Sequence, residues 1–139
     1  MASFSVRVGV RSYEIDVNGH VNHAVYHQFG EHARSSHLAA SGCSMSRMTE
    51  VGVGIVLLET RVRFLRELRE GDEVDVDSRL GFGNGKTFTI DHTLRRADGV
   101  VAAEIVCVMG LLDSAARRLL PDPRARLHEI ATAPEVLGV

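Results

Sequence analysis

The chain has 139 residues, 45% of them hydrophobic and 24% charged, with a formal net charge of −2 at pH 7 and two cysteines. These values are typical of one globular domain, and they argue against a nucleic-acid binder, which would be basic, and against a disulfide framework. No apolar run approaches the roughly 20 residues that cross a membrane, and the N-terminus does not resemble a signal peptide, so we predict a cytoplasmic protein with no membrane partner.

The first predicted elements are a strand and one long helix. From Ser3 to about Ile15, apolar and polar side chains alternate, which is the pattern of a half-buried strand. Apolar residues then recur at helical spacing, with Asn22 as the expected N-cap and Gly42 as the stop. A helix of about 20 residues would be roughly 30 Å long. Its expected apolar face consists of Val21, Val25, Phe29, Ala33, Ser36 and Ala40.

The rest of the chain is predicted to be mainly sheet. Alternating segments over 52–68 and from Val74 onward are followed by hairpin signals at Asn84-Gly85 and Asp98-Gly99. The stretch Val100–Leu112 is apolar on both faces, which favours a central strand covered on both sides. After it we expect a short strand continuation and an irregular or helical tail, about 114–139. The prediction is one α+β domain over 1–139 with its core at about 4–113, in which a five-stranded antiparallel sheet wraps one central helix.

The most informative segment is Asp16-Val17-Asn18-Gly19-His20, directly before the predicted helix. An extended backbone would place the side chains of Asp16, Asn18 and His20 on one face, and Gly19 permits unusual dihedral angles at the turn. A helix start offers unpaired N–H groups and partial positive charge, which keep a carboxylate ionised and polarise a carbonyl. This combination favours acyl-transfer hydrolysis. The alternative is that Asp16 only ends the strand or caps a turn.

Histidines are concentrated around the helix, at positions 20, 23, 27, 32 and 37. His20 is interpreted as a general acid, as a hydrogen-bond partner of Asp16 or Asn18, as a supporting residue, or as a buried histidine bonded to a backbone carbonyl. His23 and His27 share a helix face, which raises the alternative of a metal site. The other helix histidines lie on different faces and no carboxylate has the spacing of a zinc motif, so we predict ordinary polar residues and no metal.

Three further groups of residues were considered as possible parts of the site. Glu31 and Arg34 either pair on the helix surface, or Glu31 lines a pocket and takes part in catalysis. His92 lies in the apolar phase of its strand, so we expect a core or interface residue. The arginines and glutamates that alternate between positions 59 and 70 are expected to form a solvated face.

The motif Asp16-x-x-Gly19-x-Val21, followed by Tyr26 and Glu31-x-x-Arg34, resembles the signature of hot-dog-fold acyl thioesterases of the 4-hydroxybenzoyl-CoA thioesterase type. The string from Asp16 to Asn22 also resembles the active-site motif of plant acyl-ACP thioesterases. The likeness extends over roughly Val6 to Leu112. Asn84-Gly85 stands where the first type has basic residues that bind nucleotide phosphates, and this departs from its mode of CoA binding.

The resemblance implies roles for individual residues and for a second copy of the chain. Asp16 matches a nucleophile or a general base on water, and the backbone N–H of His23 matches the donor to the thioester carbonyl. By the plant motif, Asn18 and His20 support or share the catalytic work. Two chains are expected to pair through their sheets, in a homodimer or homotetramer with active sites at the interface. Further candidates for binding substrate are Gly19, Tyr26, Phe29, Val56, Thr60 and Lys86.

We therefore predict a thioesterase that hydrolyses an acyl-CoA or acyl-ACP thioester to a free acid and a thiol, without a metal or an organic cofactor. Two alternatives stay open. One is a hot-dog dehydratase or hydratase, in which Asp16 and His20 move protons. The other is a module that binds acyl thioesters without turnover.

Overall fold

The computed structural model describes residues 4–139. In chain order the elements are β1 (Phe4–Gly9), a 3-10 helix (Ser12–Glu14), α1 (His23–Ser41), α2 (Met45–Glu50), β2 (Val53–Phe64), β3 (Glu73–Phe82), β4 (Thr87–Arg96), β5 (Val101–Asp113), β6 (Arg118–Leu119), α3 (Pro123–Ile130) and a second 3-10 helix (Pro134–Val136). The predicted start of the first strand at Ser3 lies outside the described residues. Within them, no helix combines the length and the apolar character that crossing a membrane requires.

The five long strands form one antiparallel sheet in the order β1-β3-β4-β5-β2, and the two-residue β6 pairs with β5. Both predicted hairpins are present, between β3 and β4 and between β4 and β5. Asp98 shows why the second turn forms: its Oδ1 accepts from the Val100 N–H at 3.2 Å, and Gly99 has a φ of +91° that favours glycine. The predicted sheet and its short continuation, β6, are confirmed.

Strand β2 lies at one edge of the sheet and contains a β-bulge. Leu57 is opposite Met109 and Glu59 is opposite Val108, so Leu58 is an extra residue. Because of this insertion, Leu57 and Thr60 both face the helix side of the sheet, opposite the buried Met109 and Cys107. The inner face of β2 therefore consists of Val53, Ile55, Leu57, Thr60, Val62 and Phe64.

Helix α1 packs on the inner face of the sheet, and both of its predicted ends are confirmed. Asn22 Oδ1 accepts from the Ala24 N–H at 2.9 Å, and Gly42 ends the helix with a φ of +95°. The predicted apolar face is wrong at its C-terminal end, where Ala40 is exposed and Ser36 is only half-buried. His37 is buried in their place. Its Nδ1 is 2.9 Å from Ser78 Oγ and its Nε2 is 2.7 Å from the Val136 carbonyl, so both ring nitrogens are satisfied.

Other boundaries differ from the prediction because local hydrogen bonds compete with the strand. Strand β1 ends at Gly9 and not near Ile15, because Glu14 Oε1 accepts from the Arg11 N–H at 2.8 Å and closes a 3-10 turn. Helix α2 was not predicted. It is only six residues long and is capped by Ser44, whose Oγ accepts from the Arg47 N–H at 3.2 Å.

The two faces of β5 are covered unequally. Ile105, Cys107 and Met109 on the inner face are buried, whereas Val106 and Val108 on the outer face are half-buried. The expectation of a strand covered on both sides is therefore only half met in this chain. Beyond β5, the tail folds back, and Leu127, Ile130 and Leu137 are buried.

His92 lies in the core, where α1 approaches the sheet most closely at Gly30. A Cβ added at Gly30 would lie 3.1 Å from His92 Cδ2, so a larger residue would require the buried His92 ring to shift by a few tenths of an ångström. His92 Nδ1 donates to the Asp77 carbonyl at 2.8 Å, while Nε2 is buried with no hydrogen-bond partner among the described residues. Burial lowers the pKa of His92 to about 4. The expectation of a core residue is confirmed, although one ring nitrogen is unsatisfied.

This burial predicts a pH dependence of stability. Unfolding returns the pKa of His92 from about 4 to 6.5, so the unfolded state binds more protons between these values. The free energy of unfolding should therefore fall as the pH drops from 6.5 toward 4, with a contribution from His92 on the order of 3 kcal/mol. Urea denaturation at several pH values, for the wild type and His92→Gln, measures this difference. Identical pH dependence in both proteins would contradict the prediction.

Candidate functional site

The segment from Asp16 to His20 is a tight loop at the start of α1. Ile15 and Val21 pair across its base, and the Asp16 N–H donates to the His20 carbonyl at 2.8 Å. Gly19 has a φ of +77°, the left-handed conformation that the sequence led us to expect from a glycine here. The loop is turned and not extended. The prediction that alternate side chains of this segment share one face is therefore wrong.

The Asp16 carboxylate is held by the backbone of its own loop. Oδ1 accepts from the Asn18 N–H at 2.9 Å and, more weakly, from the His20 N–H at 3.4 Å. Oδ2 makes no hydrogen bond to any of residues 4–139. Asp16 is half-buried and the Asn18 side chain is exposed. One carboxylate oxygen is thus fixed in position while the other remains available.

The start of α1 leaves one backbone donor free. The Val21 N–H donates to the Leu68 carbonyl at 2.8 Å and the Asn22 N–H to the Glu14 carbonyl at 2.9 Å. The side-chain Oδ1 of Asn22 accepts from the Ala24 N–H, and the Asn22 carbonyl accepts from the Val25 N–H. In the described part of the chain, the His23 N–H has no partner. A free N–H at a helix start is suited to an anionic or partly negative oxygen.

The imidazole of His20 binds a residue that we did not predict to belong to the site. His20 Nε2 is 2.7 Å from Glu67 Oε2. Glu67 also accepts from the guanidinium of Arg69, and this hydrogen bond is the main reason that the pKa of Glu67 lies below its usual range. Glu67 is exposed and pairs with an arginine, as expected of a solvated face at positions 59–70. It also reaches His20, because the chain after β2 returns to the start of α1. The imidazole is oriented by Glu67 and not by the Asp16 carboxylate.

Tyr26 forms a wall next to this loop. It is 4% exposed, and its ring contacts that of Phe64 edge-on, with 5.0 Å between the centroids. Burial raises the pKa of the Tyr26 hydroxyl, and the nearby charges of Glu67 and Asp16 raise it further. The hydroxyl is therefore neutral beside the two carboxylates.

Other predicted site residues lie farther away within one chain. Thr60 is on the inner face of β2, with Oγ1 3.8 Å from Cys107 Sγ. Glu31 is eight residues after His23, which is about 12 Å along a helix. Lys86 is exposed in the β3–β4 loop, at the opposite end of those strands from the Asp16 loop, a separation of about 30 Å for ten residues. Of the two remaining lining candidates, Phe29 is in the core and Val56 is on the outer face of β2.

The remaining histidines of α1 do not form a cluster. His23 and His32 are exposed, His27 is half-buried and His37 is in the core. Among residues 4–139, no group of three or more histidines, cysteines or acidic residues is arranged to hold a metal ion.

The fold and the loop define a class of protein: a curled antiparallel sheet around one helix, with a fixed carboxylate at the helix start. The model of the Thioesterase-like superfamily matches residues 10–138, and the chain belongs to this superfamily. Its solved structural neighbours include several proteins named as thioesterases, and the predicted hot-dog fold is confirmed. A 1,4-dihydroxy-2-naphthoyl-CoA thioesterase from Synechocystis superposes with a TM-score of 0.82 at 19% identity, covering 93% of this chain and 96% of that one.

Two relatives extend the comparison to sequence. An acyl-acyl carrier protein thioesterase of Arabidopsis thaliana, ATL3, is 32% identical over 87 residues, or 63% of this chain. The chain spans only 46% of that protein's length. The long-chain acyl-CoA thioesterase FadM of Escherichia coli is 28% identical over 115 residues, covering 82% of this chain and 86% of FadM.

The geometry of the loop can be tested at Gly19. A Cβ there would meet no atom within 4 Å, so Gly19→Ala introduces backbone strain without a clash. We expect it to lower the free energy of unfolding by about 1 kcal/mol. The matched control is Gly85→Ala, because Gly85 also has open space and no positive φ. Urea denaturation compares the two variants. Equal stability would contradict the left-handed turn.

Proposed function

We propose that this protein hydrolyses an acyl thioester of CoA or acyl carrier protein to a free acid and a thiol. The observation that carries the proposal is the Asp16 carboxylate, fixed on Oδ1 by its loop and free on Oδ2, at the start of a helix whose His23 N–H has no partner among the described residues. Membership of the Thioesterase-like superfamily supports it, as do relatives that are named acyl-ACP and acyl-CoA thioesterases.

In the proposed mechanism, the thioester carbonyl accepts from the His23 N–H. Negative charge that develops on this oxygen is stabilised by the donor and by the helix start. One such donor typically contributes about 3–4 kcal/mol to the transition state. Asp16 Oδ2 then either attacks the carbonyl carbon or removes a proton from an attacking water. In the first route the C–S bond breaks, the thiolate leaves as the thiol after protonation, and water hydrolyses the mixed anhydride.

The loop residues support Asp16 in different ways. The backbone N–H groups of Asn18 and His20 donate to Oδ1 and hold the carboxylate in position. The His20 side chain, which is 2.7 Å from Glu67, orients the water or the leaving group in this proposal. We propose that Glu67 is a positioning residue for His20.

We also propose that the active protein is a homodimer or homotetramer, with Gly19, Tyr26, Thr60 and Lys86 contributing to substrate binding. Strand β2 is an edge strand, and Leu57, Leu58 and Phe64 on it are 45%, 50% and 53% exposed. An edge with exposed apolar side chains favours pairing with another strand. Since Lys86 is about 30 Å from the Asp16 loop of its own chain, we propose that the Lys86 of another copy binds the carrier.

The proposed role of Asp16 predicts a large loss of activity on substitution. In Asp16→Asn the amide oxygen still accepts from the loop N–H groups, so folding should be retained while the nucleophile or base is lost. We expect kcat to fall at least about 100-fold, measured as thiol release from a panel of acyl-CoA and acyl-ACP substrates.

The matched control for this variant is Asp113→Asn. Asp113 Oδ1 also accepts from the N–H two residues further on, that of Ala115, at 3.1 Å, but it lies in another turn. We expect near-wild-type kcat for this control. Turnover by Asp16→Asn close to that of the wild type would remove Asp16 from the mechanism. Acyl-thioester binding without turnover by the wild type would instead indicate a binding module, and formation of an enoyl product would indicate a lyase.

The pairing of His20 with Glu67 predicts non-additive effects on catalysis. Glu67→Gln should lower kcat/KM by roughly tenfold, and adding it to His20→Ala should cause little further loss, because the two residues act as a unit. Glu70→Gln is the control, since Glu70 is an exposed acidic residue of the same loop. Fully additive losses in the double variant would show that Glu67 does not act through His20.

A further inference from the structure

A cavity of about 570 Å³ opens between α1, α2, β2 and β5. This volume lies within the range of small-molecule sites. Among the described residues its lining contains no aromatic ring and is mainly aliphatic or sulfur-containing. Flexible methionines give such a cavity a deformable wall. The apolar side chains that define it are Leu38, Met45, Met48, Ile55, Leu57 and Met109.

The cavity begins some distance along α1 from the proposed reaction centre. Of the α1 residues that line the cavity, Glu31 comes eight residues after His23 and Leu38 comes fifteen residues after His23. At 1.5 Å per residue, the cavity thus extends from about 12 Å to about 22 Å from the helix start. If the thioester carbonyl binds at the His23 N–H, an acyl group that runs parallel to α1 reaches the cavity.

The inner face of β2 connects the two places. Phe64 contacts Tyr26 in the first turn of α1, and Leu57, farther along this face, lines the cavity. Phe64, Thr60 and Leu57 are exposed, and Val62 between them is half-buried. This row of mainly apolar side chains leads from the helix start to the cavity, and we refer to it as the groove.

We propose that this groove and cavity bind the tail of a straight aliphatic acyl chain of at least 12 carbons. The proposal rests on the thioesterase function proposed above. An extended chain advances about 1.2 Å per bond, as three backbone bonds span up to about 3.6 Å. About ten bonds therefore reach the cavity mouth, and about 18 reach Leu38. Shorter acyl groups and aryl groups end in the groove and do not reach the cavity.

The geometry predicts a threshold and not a gradual preference. Each methylene removed from water strengthens binding by roughly fourfold. Chains shorter than about ten carbons end before the cavity, so they do not gain from its buried lining. Beyond that length the tail enters the cavity, where Leu38, Met48 and Met109 are buried.

The experiment measures thiol release by the full chain from acyl-CoA substrates of 4 to 18 carbons and from benzoyl-CoA. We expect kcat/KM to rise at least tenfold between 8 and 14 carbons, and to be at least tenfold lower for benzoyl-CoA than for the 16-carbon substrate. A flat profile, or faster turnover of benzoyl-CoA, overturns the inference but leaves the thioesterase proposal standing. Absence of turnover with every substrate on either carrier overturns the thioesterase proposal itself.

Two tryptophan variants locate the tail. Ser35 lines the cavity and is exposed on α1, so Ser35→Trp fills the space with little risk to folding. We expect the ratio of kcat/KM for 16 carbons to that for 6 carbons to fall at least tenfold. Ser46→Trp is the matched control, because Ser46 is an exposed serine of α2 outside the lining. An unchanged ratio in Ser35→Trp, with thermal unfolding like that of the wild type, overturns the inference.

Discussion

The start of α1 is tied to two separate parts of the chain, and the candidate site depends on these ties. The Leu68 carbonyl accepts from the Val21 N–H and the Glu14 carbonyl from the Asn22 N–H. These bonds fix the direction in which α1 leaves the Asp16 loop. They also bring the segment after β2 next to that loop, where Glu67 reaches His20. Because the first helix donors are occupied in this way, the His23 N–H is the one left for a ligand within the described structure.

Local signals in the sequence predicted much of the fold. Asn22 and Gly42 bound α1 because capping depends on residues close in sequence. His37 was not recognised as a core residue because its partners, Ser78 and Val136, are 41 and 99 residues away. Glu67 was missed for the same reason, since it is adjacent to His20 only after the sheet has formed.

One chain supplies only part of the candidate site. The Asp16 loop, the helix start and the His20–Glu67 pair come from one chain. Lys86 lies at the far end of the sheet from them. The candidate reacting groups of the motif therefore lie together in one chain, whereas Lys86, a candidate for binding substrate, lies far from them. This agrees with the departure at Asn84-Gly85, where basic residues of the benzoyl-CoA type are missing.

The extra residue in β2 has a consequence for how relatives of this chain can vary. Side chains of a strand alternate between its faces, so a one-residue insertion reverses every position beyond it unless a bulge absorbs the extra residue. The bulge at Leu58 does this, and Leu57 and Thr60 keep the inner face although they are three residues apart. A relative that lost Leu58 would still place Leu57 opposite Met109 and Thr60 opposite Cys107, now in a regular ladder. The length of this edge strand can therefore differ by one residue at this point without exchanging its two faces.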